Sequence, residues 1–238
     1  MVLLIKEYIE FHGFNSKELG LYLVTRDAPT PEEKEVIEDI PFKQGVLDFS
    51  MILGERTFNN REITYEFIAP WMNYGQRKKL ERTIKQLTMR HGRSRLYDTH
   101  DQAYYWLGKC KSVEVEDDEE YKRLIIKIVF DCYPFMFTYY NYFDDVWDTF
   151  DFEEGIANFT KYEIRGTKQI YLFNTGTTSV APTVITDAPI TVSIDGRDYQ
   201  YQTGTSEDYV LGLSPGENIL TVTGNATVSF RYAAEVMG

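Results

Sequence analysis

YKRLIIKIVFDCYPF, residues 121–135, is the stretch on which the fold turns. Its Leu124, Ile126, Ile128 and Phe130 fall on alternate positions, the period of a strand that buries one face. Pro134 has no N–H to give to a ladder and marks the expected end. Upstream, LYDTHDQAYYWLGKCKSVEVE (96–116) reads as a pair of short strands or a hairpin, and the acidic turn EDDEE (116–120) would join strands near 109–116 and 122–132. Further back, REITYEFIAP (61–70) sets Ile63, Tyr65 and Phe67 against Glu62, Thr64 and Glu66, and GVLDFSMILG (45–54) alternates almost throughout. The polar GERTFNN (54–60) between those two reads as a hairpin loop. In the opening MVLLIKEYIEF the charges follow the apolar stretch and no small-residue cleavage site comes after, so a first strand is expected and a signal peptide is not.

The period changes once in this half. Gly75 to Arg90 contains no proline and is rich in helix formers, with Leu80, Ile84 and Leu87 on one face. Asn73 is the expected N-cap and Gly92 the expected stop of a single amphipathic helix.

Residues 136–168 are aromatic, acidic and irregular, and read as a linker that packs down through its rings. Beyond it come short apolar runs, IYLFNTG, APTVITDAPITVSIDG, DYQYQTG, DYVLGLSPGENILTVTG and ATVSFRYAAE, punctuated by Gly176, Gly196, Gly204, Gly216 and Gly224. Short strands between glycine turns predict a small β-sandwich. Charge shifts at the same place: residues 1–135 hold 20 Lys and Arg against 23 Asp and Glu, whereas residues 136–238 hold 5 against 14. The sequence is therefore read as mostly β with one α-helix, in two domains, 1–135 and 136–238.

Composition excludes several classes of function. The net charge of −12 repels phosphate backbones. No apolar run approaches the ~18 residues of a membrane helix, so membrane anchoring is not expected. His12, His91 and His100 are the only histidines, and neither HExxH, CxxC, GxSxG nor a phosphate-cradling glycine loop occurs. Thr99-His100-Asp101 could orient an imidazole as a base, but no nucleophile motif accompanies it. The carboxylates Asp144, Asp145, Asp148, Asp151, Glu153 and Glu154 suit a solvated linker better than a glycosidase pair or a calcium loop. Hairpin arithmetic puts Cys110 opposite about residue 127 and Cys132 opposite about residue 105, too far apart for a disulfide. Free thiols fit assembly in a reducing cytosol. No cofactor, metal or catalytic activity is expected.

One basic patch stands against this acidic background. Arg77, Lys78, Lys79, Arg82, Lys85, Arg90, Arg93 and Arg95 lie within 77–95 beside a single acid, Glu81. It carries no interleaved aromatic platform for nucleic acid. Pairing with acids such as those at 116–120, within a chain or between subunits, is the better reading.

With chemistry absent and surface abundant, the residues themselves resemble a known family. FHGFNSKELGLYL (11–23) is similar to the N-terminal signature of the siphophage distal tail protein (Dit) family, in which a strand, an Asn-Ser turn and a glycine-containing second strand begin a ring-forming domain. The Gly54–Arg61 hairpin with its following strand, the helix at 75–90 and the closing CYPFMF (132–137) come in the family's order. IYLFNTGTTSVAPTVI (170–185) resembles the first strands of the family's galectin-like β-sandwich.

The resemblance implies a ring-forming (belt) β-sheet domain with a helical insertion, followed by a galectin-like sandwich. It implies a homo-hexamer that joins the tail tube protein to a tail-tip protein at the virion tail tip, with a central channel through which DNA passes unbound, assembled in the bacterial host cytoplasm. Phe14, Asn15, Arg56, Arg61, Arg77, Lys78, Arg82 and Lys85 are the candidate subunit or partner contacts. No long polar insertion follows the linker, so a direct dock for receptor-binding proteins is not expected. The alternative is a host cell-wall carbohydrate-binding module, in which Trp147 and the tyrosines of residues 136–238 would stack on sugar rings. An enzyme resting on His100 and Asp101 ranks third.

Overall fold

A computed structural model describes residues 4–52, 54–138, 160–207 and 210–238. The chain divides into two compact units, Met1–Met136 with Gly238, and Phe137–Met237. The fold is mostly β, with one helix among the described residues.

The first unit contains β1 (Ile9–Phe11), β2 (Phe14–Asn15), β3 (Tyr22–Asp27), β4 (Ile37–Glu38), β5 (Leu47–Asp48), β6 (Arg61–Ala69), α1 (Tyr74–Met89), β7 (Ser94–Asp98), β8 (Tyr104–Asp118) and β9 (Arg123–Thr138). Its main sheet runs in the order β2-β1-β7-β8-β9-β6-β3. β9 pairs with β6 from Arg61↔Cys132 to Ala69↔Leu124. Leu124, Ile126, Ile128, Phe130, Ile63, Tyr65 and Phe67 are all fully buried, as the alternation predicts. Phe11 and Tyr65 each set a ring edge-on to Phe130, the arrangement that aromatic quadrupoles favour.

The strand does not stop at Pro134. It continues to Thr138, and Pro134 lies beyond the last pair of the β6 ladder, where a missing N–H disrupts none of the bonds to β6. The thiols also sit closer in register than hairpin arithmetic suggests. A Cβ on Gly108 would lie 2.5 Å from Cys132 Sγ, so Cys132 lies against residue 108 instead of about 105. Both cysteines are nevertheless free and buried.

At the N-terminus, His12 and Gly13 both have positive φ, 40° and 86°. They form the tight primed turn that matches strand twist and pairs Phe11 with Phe14. α1 is capped as expected: Asn73 Oδ1 accepts from Gln76 N, and the Gln76 side chain accepts from Asn73 N. The helix ends at Arg90 in a right-handed conformation, two residues before Gly92.

Two further expectations for this unit fail. GVLDFSMILG is no strand of ten residues, since only Leu47 and Asp48 pair, with Glu38 and Ile37. Asp48 Oδ1 accepts from Ser50 N, and Ser50 Oγ accepts from Val36 N. These local side-chain bonds replace the ladder. GERTFNN is not a hairpin loop either. Phe58 bridges Glu33, Lys34 N donates to Thr57 O and Asn59 N to Glu32 O, so residues 32–52 and 54–59 belong to one long arm whose two ends pair with each other.

The second unit contains β10 (Lys161–Asn174), β11 (Thr183–Thr186), β12 (Ile190–Ile194), β13 (Arg197–Tyr201), β14 (Gly204–Glu207), β15 (Gly216–Arg231) and β16 (Glu235–Val236). β15 organises it. One edge pairs with β10 from Lys161↔Ser229 to Asn174↔Gly216; the other pairs first with β12 and then with β11. β12–β13 and β11–β14 therefore hang from one strand over one core that includes Val184, Val192, Leu220, Val222 and Phe230. Gly224 does not end a strand, as its spacing suggested. It lies within β15 at φ 152°, and a Cβ there would come within 3.0 Å of Pro189 O. Glycine is needed for the close approach of a neighbouring strand.

Candidate interaction surfaces

Three of the eight residues singled out from sequence offer no surface. Phe14 is core, and Arg61 and Arg77 are buried. Phe14 is the inward residue of β2, in the same cluster as Phe11 and Phe130. Arg61 lies over the Trp106 ring at 4.3 Å and donates to Pro134 O and Ala28 O. Its burial, with Arg26 repelling it, holds the guanidinium below its ordinary value.

Arg77 is the internal clamp of the helix. Its Nε donates to Asp117 at 2.5 Å, Nη1 to Met72 O at 2.8 Å, and Nη2 to Glu119. The acidic turn at 116–120 is thus partnered within the chain, by the first turns of α1. A buried guanidinium needs such partners, and no sequence pattern separates it from the exposed cations beside it.

Asn15 is spent on its own turn. Its Oδ1 accepts from Lys17 N and Glu18 N, and its Nδ2 donates to Glu10. Arg56 is exposed and pairs with Glu33 at the base of the arm. Lys78 pairs with Glu81 and Asp117, and Lys85 with Glu81 at 2.7 Å. Arg82 is exposed and has no ion pair among the described residues. The residues therefore do not form one site; they divide between the core, the arm and the outer face of α1.

Two surfaces remain. The first is the arm, which leaves Val36, Ile37, Ile40, Phe42, Val46, Phe49, Met51 and Ile52 exposed, Ile52 at 75%. Its base is anchored to the sheet, where the Phe58 ring meets Phe135 edge-on at 5.6 Å. Sequence reading missed this surface because the alternation of 45–54 suggested a half-buried strand. The available signal was the density of acids among the apolar residues. The second surface is the end of the unit near the start of α1, where Trp71, Tyr74 and Tyr121 are exposed. Trp71 and Lys122 hold left-handed backbones, φ 58° and 50°, on either side of the bond from Met72 N to Lys122 O.

His100 borders a shallow cleft with Glu7, Leu23, Val24, Arg26 and Asp98. Asp98 accepts from Arg26 Nε at 2.6 Å, Tyr65 Oη at 2.8 Å and His100 N at 2.9 Å, and Asp101 accepts from Arg26 Nη2. Burial, reinforced by Asp98, raises the Tyr65 hydroxyl well above its usual value. Desolvation opposes the Arg26 charge, but the Asp98 bond and charges outweigh it and raise its pKa. The two carboxylates beside His100 thus hold β3 against the end of β7. Among the described residues no three His, Cys, Asp or Glu gather to hold a metal. The acidic run from Asp144 to Glu154, and Trp147, lie outside the described residues.

No family model matches the sequence, and no curated protein does. Solved structures do match. The Dit protein of phage SPP1, described as a paradigm of the hub adsorption apparatus in phages that infect Gram-positive bacteria, superposes at TM-score 0.64 with 11% identity, over 95% of this chain and 98% of that one. This chain has the fold of SPP1 Dit. The baseplate of phage p2 in its activated conformation also matches, with Sr and with Ca, each at TM-score 0.44 and 9% identity. The match to SPP1 Dit takes in nearly the whole of both chains and so extends over both units.

Proposed function

We propose that this chain is a structural component of a phage tail tip: a hexameric hub that joins the tail tube to a tail-tip protein and leaves a central channel for DNA. The observation that carries this reading is the fold shared with SPP1 Dit over 95% of the chain. The exposed arm supports it, since an apolar surface of this extent is expected to meet a partner. Residues 1–135 would build the ring and residues 136–238 would carry a galectin-like sandwich away from it. The chain would act by contact alone, in the virion, after assembly in the host cytoplasm. Light scattering on a sizing column tests this. Six copies of 27.8 kDa give about 167 kDa and ring-shaped particles in negative stain; a monomer at every concentration refutes self-assembly of the isolated chain.

A second reading, a module that binds host cell-wall glycans, has one observation in its favour. Tyr171 is exposed on β10 opposite Ile219, at the end of a polar row in which Thr167 and Thr223 share a hydrogen bond at 3.1 Å. Glycan-array binding lost on Tyr171→Ala would favour it.

A further inference from the structure

The cations between residues 77 and 93 fall into two sets. Seven Lys and Arg stand there against a single acid, Glu81. Arg77 meets Asp117 and Glu119, Lys78 meets Asp117 and Glu81, and Lys85 meets Glu81. Lys79, Arg82, Arg90 and Arg93 are exposed and make no ion pair among the described residues. The acidic turn at 116–120 is spent on Arg77 and Lys78 and leaves these four without a carboxylate.

Their placement follows from the helix. Lys79, Arg82, Gln86 and Arg90 recur at the spacing of one helix face. All are exposed, on the side away from the buried Leu80, Ile84 and Thr88. At 1.5 Å per residue the line from Lys79 to Arg90 is about 16 Å long, and Arg93 follows three residues later. Met89 borders it, 49% exposed, and Tyr74 stands about a third of a turn away by helical spacing. The line holds neither a ring on which a base could stack nor the apolar centre of a protein interface, where lysine is depleted. Three of the four cations are arginines, whose planar fork takes two oxygens of one phosphate. At 0.1 M salt a charge is felt over about 10 Å, so the stripe presents its own sign in a chain of net charge −12.

We propose that this stripe binds a linear phosphodiester polymer that carries no bases, a chain of polyol phosphates. Lys79, Arg82, Arg90 and Arg93 each take one phosphate, and Gln86 donates its side-chain amide between them. A flexible polyanion brings its charges to the cations one at a time, so a row on a convex helix suffices and no pocket is required. The proposal goes beyond the hub reading and does not depend on it, because every copy carries the complete stripe.

The affinity of the full-length chain for a fluorescent glycerol phosphate oligomer, read by anisotropy across salt concentrations, tests it. Four phosphates at about 0.7 each give a slope near ~−3 for log K against log salt. Lys79→Gln, Arg82→Gln and Arg90→Gln should each flatten the slope by about 0.7 and weaken binding about eight-fold at ~50 mM salt, the factor such a slope implies. Lys111→Gln, on β8 and paired with Glu62, should leave binding unchanged. These side chains are all exposed, and an unchanged thermal midpoint confirms that each variant is folded. Poly-glutamate of equal charge must also fix its side chains to present each carboxylate and should bind more weakly. Oligo(dT) with the same number of phosphates should bind no more tightly than the glycerol phosphate oligomer. No binding at ~50 mM salt, or binding that the triple variant retains, overturns the proposal. Poly-glutamate held as tightly would replace it with an acidic protein partner, and tighter oligo(dT) would replace it with a reader of bases. The mass of the assembly, measured separately, decides the hub reading.

Discussion

Strand β6 and the arm are adjacent in the chain and opposite in environment. In β6 the residues Ile63, Tyr65, Phe67 and Ala69 are fully buried between β9 and β3, over the main core. In the arm, side chains of the same kinds are exposed on a two-strand ladder of two residue pairs. Both segments alternate. The difference is in neighbours: β6 has a strand on each edge and a core beneath it, whereas β5 has only β4. An isolated hairpin is marginal in water, so side-chain bonds from Asp48 and Ser50 shape the arm where packing does not. Under the hub reading proposed above, apolar residues left out of a core in this way would meet a partner, and the contrast can be tested by substitution.

The largest effect should come from β6. Phe67→Ala should cost about 3–5 kcal/mol of unfolding free energy by urea titration, the loss usual for a buried phenylalanine. Ile52→Ser in the arm should change the stability of the isolated chain by no more than about 0.5 kcal/mol while weakening self-association. Equal losses at the two positions would mean that the arm is part of the core.

The second contrast lies within α1. Arg77→Met removes a buried cation from Asp117 and Glu119 and should cost roughly 2 kcal/mol, below the 3–5 of a fully enclosed pair, because the freed carboxylates can reach water. Arg82→Met should leave stability within about 0.5 kcal/mol. Matching losses would place both guanidinium groups in the same environment. Asn73→Ala, which removes the bond from Gln76 N to the Asn73 side chain, should cost about 1 kcal/mol, and retained stability would make that half of the box dispensable.

The smallest effect is on pH. The His91 ring lies 3.7 Å from that of His12; desolvation, then the charges of His12 and Arg90, lower its pKa. A depressed folded value means that His91 contributes its full stability above the ordinary histidine range near ~6.5 and loses it as pH falls through the folded value. Thermal melts of the wild type should therefore soften below about pH 6.5, and His91→Asn should reduce that slope. A parallel decline in the two proteins would assign it elsewhere. Alkylation gives an independent check on the core, because burial pushes the Cys132 thiol up to about 12. The native protein should leave it unlabelled at pH 8, where rapid labelling would show that β9 is open to solvent.

Much of this molecule is determined locally. The alternation at 61–70 and 121–135, the cap at Asn73 and the inward row Leu80 and Ile84 depend on the period of a strand or a helix, and that period is a property of adjacent residues. The resemblance to Dit also rests on the order of such motifs. The division of the cations into clamp and surface was decided only in three dimensions, because Arg77 and Arg82 differ in what lies opposite them and not in their neighbours along the chain. So was the fate of 45–54, since alternation states which face would be buried but cannot supply the sheet that buries it. Pro134 and Gly224 follow the same rule. Each is permitted within a strand by the position of another strand, one that ends before Pro134 and one that presses close to Gly224, and those positions are set by packing across long stretches of sequence.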